Sequence, residues 1–317
     1  MNSLTDVPGL RVGHWTDAGG RTGCTVVLAP PDGAVAAIDV RGGAAGTFNT
    51  ELLRPANLVE RVHALVLTGG SAFGLASCSG VIRYLKEQGT GLQYGDALIP
   101  IVCGGVIFDL GVASGPPPDA QAGYAACQAA DAHPKRGSIG AGAGATVGKA
   151  LRLGGAMRGG LGMASGRAGD HVVAVLAVVN AFGDVVDRQG RIVAGARQAD
   201  GRFLDAIGAM AQSGHLRPAE GNNTTLAVVA TTAQLTKEQA MKVAQMAHDG
   251  FGRAIRPAHT MVDGDLVFAL SVASDAPAPA DVSVLGAIAA EAVVEAILDA
   301  VRSASGDAAI PAVADRG

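Results

Sequence analysis

Thr224 stands where a polar stretch meets an apolar one, in Glu220-Gly-Asn-Asn-Thr-Thr-Leu-Ala-Val-Val-Ala230. A hydroxyl at such a junction has two uses. It can sit in a turn that precedes a strand, as Asn-Asn-Thr-Thr readily does. Alternatively, in a loop held under strain, it can attack the carbonyl of the peptide bond before it. That cleavage would give Thr224 a free α-amine with an unperturbed pKa of about 7.7–8.0, so nucleophile and base would belong to one residue. Asn222-x-Thr224 and Asn223-x-Thr225 also fit glycosylation sequons. The opening Met1-Asn-Ser-Leu-Thr-Asp6 has no basic-then-apolar leader, so a cytoplasmic protein is expected and the sequons carry no weight.

Other chemistry-bearing residues are sparse. Asp263-Gly-Asp265 places two carboxylates two apart ahead of an apolar run, on the same side of an extended chain. Alone they make a turn; a metal site would need further ligands, and His259 is the one nearby. His14, His63, His171 and His248 show no spacing for zinc or a triad. Cys24, Cys78, Cys103 and Cys127 form no CxxC, and three lie among apolar or small residues, which implies buried, reduced thiols. Gly137-Ser-Ile-Gly-Ala-Gly-Ala-Gly-Ala-Thr-Val-Gly-Lys149 resembles a phosphate loop but fails at both ends. Ala143 replaces the first glycine and Ala150 the hydroxyl residue. It reads better as a close-packed turn ending in a positioned charge, Lys149. Ser71, in Gly69-Gly-Ser-Ala-Phe-Gly74, sits between strand and helix like a nucleophile elbow, yet Phe73 fills the last glycine position. It is read as a helix N-cap or a pocket-lining residue.

The elements that must position these groups follow from periodicity. Strands are expected at Cys24–Ala29, Ala34–Val40, His63–Thr68, Ala97–Asp109, Gly160–Ser165, Val172–Val179, Asp184–Val193, Thr225–Thr231 and Leu266–Val272, with a further apolar run at Leu151–Met157. Helices are expected near 75–88, 119–130, from a Thr236/Gln239 capping box to His248, and over Asp281–Val301. Asn180-Ala-Phe-Gly-Asp184 reads as a hairpin turn, Ala211–Asn223 as an exposed internal boundary, and the tail from Ser303 as frayed. The pattern implies a layered α/β (α+β) sandwich in one domain, residues 1–317. Of 317 residues, 49% are hydrophobic, 16% charged and only 3% aromatic, while glycine occurs 46 times. That composition excludes disorder, and glycines that cluster without a three-residue period exclude collagen. A net charge of −4 favours neither nucleic acid nor an anionic membrane surface. The longest apolar run, Val172–Val179, is far short of the ~20 residues that span a bilayer.

As an ordered set, several motifs make the chain resemble the L-aminopeptidase/D-Ala-esterase (DmpA-like) self-processing family, which includes β-aminopeptidases and 6-aminohexanoate-oligomer hydrolases. They are Gly9-Leu-Arg-Val-Gly-His-Trp15, Thr22-Gly-Cys-Thr-Val-Val27, Asp39-Val-Arg-Gly-Gly43, Leu67-Thr-Gly-Gly-Ser71, Gly140–Lys149, Asn222-Asn-Thr-Thr-Leu226 and His259-Thr-Met-Val-Asp-Gly-Asp265. The resemblance implies an αββα sandwich like that of N-terminal-nucleophile hydrolases, with different connectivity. It implies self-cleavage at Asn223–Thr224 into an α chain of residues 1–223 and a β chain of 224–317. Thr224 matches the nucleophile, Asn180 the oxyanion-binding residue, Lys149 an active-site lysine, and Asp263 and Asp265 the carboxylates that orient the nucleophile and its amine. Relatives often carry tyrosine where this chain has Phe108, so one hydroxyl contact to substrate or oxyanion is expected to be missing. A small peptide or amide substrate, a homo-oligomer of four or more copies, and no metal or organic cofactor are implied. Two alternatives stand beside amide hydrolysis: acyl transfer of the self-cleaving ornithine-acetyltransferase type, and an uncleaved, inactive scaffold.

Overall fold

Runs of Val, Leu, Ile and Ala without bulky aromatics can pack on both faces, and here they form the central strands of two stacked sheets. The computed structural model describes residues 2–112, 115–215, 223–272 and 280–316. The strands that matter are β1 (Arg11–Thr16), β2 (Gly23–Leu28), β3 (Ala34–Val40), β4 (Ala64–Thr68), β5 (Val102–Val106), β6 (Gly160–Ala168), β7 (His171–Asn180), β8 (Thr224–Thr231) and β9 (Leu266–Ser271). One sheet runs β1-β2-β4-β5 and ends on the short strand Thr47–Phe48. The other runs β6-β7-β8-β9-β3 and ends on Arg61–Val62. Within the second sheet β7 pairs antiparallel with β8, and β8 pairs parallel with β9.

Helices cover both outer faces. Helix α1 (Ser77–Glu87) and α2 (Ala120–Gln128) pack on the first sheet. Helices α4 (Lys237–Ala254) and α5 (Val282–Ser303) pack on the second, and a short α3 (Ala206–Ser213) precedes them in the chain. The result is the expected αββα sandwich, with three apolar layers. Strand periodicity sorts side chains between them. In β7, Ala174, Leu176 and Val178 enter the core between the sheets, while Val173, Val175, Ala177 and Val179 enter the core beneath α4 and α5. In β8, Leu226 and Val228 face the other sheet, and Ala227 and Val229 face the helices. Asn180 and Thr224 share the parity of Val178 and Leu226, so both fall on the inter-sheet side.

Most expected elements form within a residue or two. The Thr236/Gln239 capping box opens α4 and the Asp281 side chain caps α5. All four cysteines are free and buried. No described helix is long and apolar enough to cross a membrane.

Other expectations fail for local reasons. The run Ala97–Asp109 divides, because Pro100 has no N–H for a sheet ladder; Ala97–Ile99 pairs instead with Leu92–Tyr94 in an exposed hairpin, before β5. Leu151–Met157 is mostly 3-10 turn. Asn180–Asp184 is no hairpin. Asp184–Val186 joins Ile192–Ala194 and Ile255–Arg256 in a separate sheet, anchored where the Asp184 carboxylate accepts the Ala196 and Ala206 N–H groups, each at 2.9 Å. The boundary expected at Ala211–Asn223 begins inside α3 and ends at a buried Asn223, and 216–222 lie outside the described residues.

The tail is not frayed. Ala304 and Ala312 are buried, and the Pro311 carbonyl accepts the Arg158 N–H. Asp307 Oδ2 accepts a charge-assisted bond at 2.7 Å from the Arg158 guanidinium, whose side chain is 5% exposed. Asp307→Ala leaves that buried cation with the Ala143 carbonyl alone, and should lower stability by about 1–3 kcal/mol. Urea unfolding would measure this; an unchanged midpoint would mean that the tail does not brace the fold.

Candidate active site

The site is built where β7 ends and β8 begins. Antiparallel register sets Asn180 opposite Thr224 as the last pair of the ladder, and both are buried. One step back, Asn223 bridges Asp263 in parallel, which carries the β8–β9 pairing past the end of β9. The Asn223 carbonyl oxygen consequently accepts two bonds, from the Gly264 N–H at 2.5 Å and from Thr224 Oγ1 at 2.6 Å. Gly264 tolerates no side chain, since a Cβ there would lie 2.5 Å from Thr224 Oγ1. The Asn223–Thr224 peptide is thus gripped on its carbonyl side by the Asp263-Gly-Asp265 segment that leads into β9.

Asn180 is oriented by its amide oxygen. Oδ1 accepts from the Thr146 N–H at 3.0 Å and from Lys149 Nζ at 2.8 Å, and Lys149 also reaches the Asn180 backbone carbonyl at 2.9 Å. Nδ2 gives one N–H to the Phe108 carbonyl at 3.1 Å, and an amide nitrogen carries two. With its oxygen held by two donors, the Thr146 N–H and Lys149 Nζ, Asn180 keeps its Nδ2 end turned outward, which suits it to bind negative charge beside Thr224. Burial pulls the Lys149 ammonium down to about 7, against the opposing attraction of Asp263, Asp109 and Asp265.

The carboxylates divide their work. Asp263 Oδ1 accepts from the Phe182 N–H at 3.2 Å, and Oδ2 accepts from the Thr260 N–H at 3.1 Å and hydroxyl at 2.5 Å. Burial and then neighbouring Asp265 push its carboxyl up to about 6. Asp265 Oδ1 accepts the Thr225 N–H at 2.7 Å, one residue from the nucleophile candidate, and Oδ2 faces His259. Thr224, Asn180, Lys149, Asp263, Asp265 and the Phe108 backbone therefore share one bonded cluster. Ser71 is not tied into it by any hydrogen bond of its hydroxyl among the described residues. Gly70, in the left-handed region, occupies the N-cap position expected of Ser71, which itself lies at φ +53°. Asp109 is buried with its carboxyl pushed up by that burial, and it accepts the Gly70 N–H at 2.7 Å.

Sequence reasoning weighed His259 only as a metal ligand and gave His248 no partner, whereas His259 is bonded to Asp265 and His248 to His259. Their separation of eleven residues matches no ligand or triad spacing, because one lies on α4 and the other on a loop.

The Lys149 environment has a pH signature. Unfolded, Lys149 holds its proton up to about pH 10.5; folded, it releases it above about 7. Between those values the unfolded chain binds more protons, so stability rises with pH. Urea midpoints at pH 7, 8.5 and 10 should show the native chain gaining on Lys149→Met. The opposite trend would contradict a buried, unfavourably charged lysine.

Comparison with known proteins agrees with this architecture. The family model described as Peptidase family S58 matches residues 2–310. An uncharacterised aminopeptidase of Mycobacterium tuberculosis is 42% identical over 344 residues, covering 99% of this chain and 98% of its own. A 6-aminohexanoate-oligomer endohydrolase of Kocuria sp. (strain KY2) is 32% identical over 317 residues, covering 94% of this chain and 85% of its own. The fold is shared with a Burkholderia sp. β-aminopeptidase (TM-score 0.71, 23% identity, 98% and 89% covered). It is shared also with the L-aminopeptidase D-Ala-esterase/amidase of Ochrobactrum anthropi, described as a variant of the Ntn hydrolase fold (TM-score 0.70, 19% identity, 98% and 89% covered). The chain belongs to peptidase family S58 and is a hydrolase of peptide or amide bonds.

Proposed function

We propose that this hydrolase cuts itself between Asn223 and Thr224 and then uses Thr224 as an N-terminal nucleophile on small amino-amide or peptide substrates. The observation that carries the proposal is the grip on the Asn223 carbonyl: Thr224 Oγ1 lies 2.6 Å from its oxygen, which already accepts the Gly264 N–H. In the first reaction Oγ1 attacks the Asn223 carbonyl carbon, and the hydroxyl proton passes to the departing Thr224 nitrogen. Negative charge develops on the oxygen that Gly264 holds. Water then hydrolyses the resulting ester, leaving residues 1–223 with a new carboxylate and Thr224 with a free amine.

That amine completes the second reaction. It accepts the Oγ1 proton as Oγ1 attacks the substrate carbonyl and returns it to the leaving amine, and water releases the acyl group. The free N–H of Asn180, held by Lys149, would stabilise the oxyanion. Asp265 fixes the backbone at Thr225, and Asp263 fixes Phe182 and Thr260 around the site. No step needs a metal or organic cofactor. The names of the relatives, aminopeptidase and 6-aminohexanoate-oligomer endohydrolase, favour an aminopeptidase or an ω-amino-amide hydrolase. A homo-oligomer working in the cytoplasm is part of the same reading.

N-terminal sequencing of the purified protein should find Thr224 at the start of a second chain, and Thr224→Ala should remain a single chain without turnover. One uncleaved but active species would overturn the mechanism. Asn180→Ala should lower kcat of the cleaved enzyme by roughly 10²–10³-fold, the usual loss for one oxyanion donor; an unchanged kcat would remove Asn180 from that role.

A further inference from the structure

Three hydrogen bonds run in line from Asp265 away from Thr224. Asp265 Oδ2 meets His259 Nδ1 at 2.9 Å, His259 Nε2 meets His248 Nδ1 at 3.3 Å, and His248 Nε2 meets the Asp39 backbone carbonyl at 3.1 Å. Every hydrogen bond contains one proton, and a backbone carbonyl contributes none. The line must therefore hold three protons on its three side chains. Two neutral imidazoles and a carboxylate bring only two.

We infer that the Asp265–His259–His248 line carries one proton more than neutral histidines would, and that this proton makes His259 an imidazolium that positions Asp265 beside the nucleophile. The bond directions assign it. His248 Nε2 must donate to the Asp39 carbonyl, so a neutral His248 accepts at Nδ1 and His259 must donate from Nε2. His259 Nδ1 then faces a carboxylate oxygen at 2.9 Å, where two lone pairs would repel unless a proton lies between them. Asp265 is the poorer host. Its Oδ2 also accepts the His259 backbone N–H at 2.9 Å, and its Oδ1 accepts the Thr225 N–H at 2.7 Å, the pattern of a full carboxylate. His248 is poorer still: its side chain is wholly buried, its ring packs on Phe251, and burial pushes its imidazole down to about 4.

The remaining charged groups around the line are in place for this state. The Asp39 carboxylate lies 3.6 Å from His248 Nε2 and is paired at 2.8 Å with Arg41, while Asp263 lies beyond Asp265. The backbone supports it as well. His259 takes a left-handed φ of +58°, uncommon for a residue with a Cβ, and with it both the N–H and the ring of one residue meet the same carboxylate oxygen. His259 is thus a positioning residue, acting on Thr224 through Asp265 and Thr225. Its effect on turnover rests on Thr224 being the nucleophile; its protonation does not.

Nitrogen NMR of the full chain labelled at histidine tests the proton count, with the His259 signals identified by their loss in His259→Asn. Both His259 ring nitrogens should read as protonated at pH 7.5, with His248 neutral. A His259 ring nitrogen without a proton at that pH would overturn the inference whether or not the enzyme turns over. Kinetics test the positioning role. His259→Ala should lower kcat about 10–100-fold, what one charge-assisted bond to a carboxylate is worth. His259→Asn keeps a donor near the Nδ1 position and tolerates the left-handed backbone, so it should recover most of that loss with KM unchanged. Equal activity of His259→Ala and the native enzyme, with Thr224 still required, would refute positioning alone.

Discussion

The antiparallel register of β7 on β8 is the constraint from which the site follows. Pairing Asn180 with Thr224 places an amide donor and a hydroxyl side by side at the end of two central strands of one sheet. A shift of β8 by one residue would turn Thr224 to the helix-facing layer and leave Asn180 without it. That register is held along the length of the strands by the alternation of Leu176 and Val178 against Val175 and Val179, and of Leu226 and Val228 against Ala227 and Val229. The two apolar cores therefore do more than stabilise the sandwich: they fix which face of the sheet carries Asn180 and Thr224. The parallel β8–β9 pair adds the second half, bringing Gly264 and the aspartates against the Asn223–Thr224 peptide.

Charge burial is the cost of this arrangement, and it is met by local pairing. Lys149 is buried against Asn180 and the field of three aspartates, and Asp263 and Asp265 are buried on backbone N–H groups. A buried ion whose partners are removed is strongly destabilising. The cluster is consequently interdependent: Lys149 orients Asn180, Asp265 holds the Thr225 backbone, and His259 holds Asp265. Glycine at 264 lets the segment ahead of β9 approach Thr224 closely enough for the Gly264 N–H to reach the Asn223 carbonyl.

Much of this was legible in the sequence. Apolar runs and caps located most strands and four of the helices, and the polar-to-apolar junction singled out Thr224. The roles proposed for Asn180, Lys149, Asp263 and Asp265 came from the family resemblance, since no spacing rule links positions 149, 180, 224 and 263. What stayed hidden depends on packing between distant segments. His248 meets His259 because α4 packs against β3, where Asp39 supplies the last carbonyl. The tail looked frayed because its residues are small and polar, yet Asp307 answers a buried arginine 149 residues away. Pro100 and Asp184 redirect chains that hydropathy alone reads as continuous.

Trapping of the covalent intermediate tests the central claim most directly. The purified enzyme would be acylated with a slowly hydrolysed activated ester, digested and mapped by mass spectrometry. One acyl group is expected, on Thr224 at the start of its peptide. An acyl group on any other residue, or an active enzyme in which Thr224 remains inside an intact chain, would contradict it.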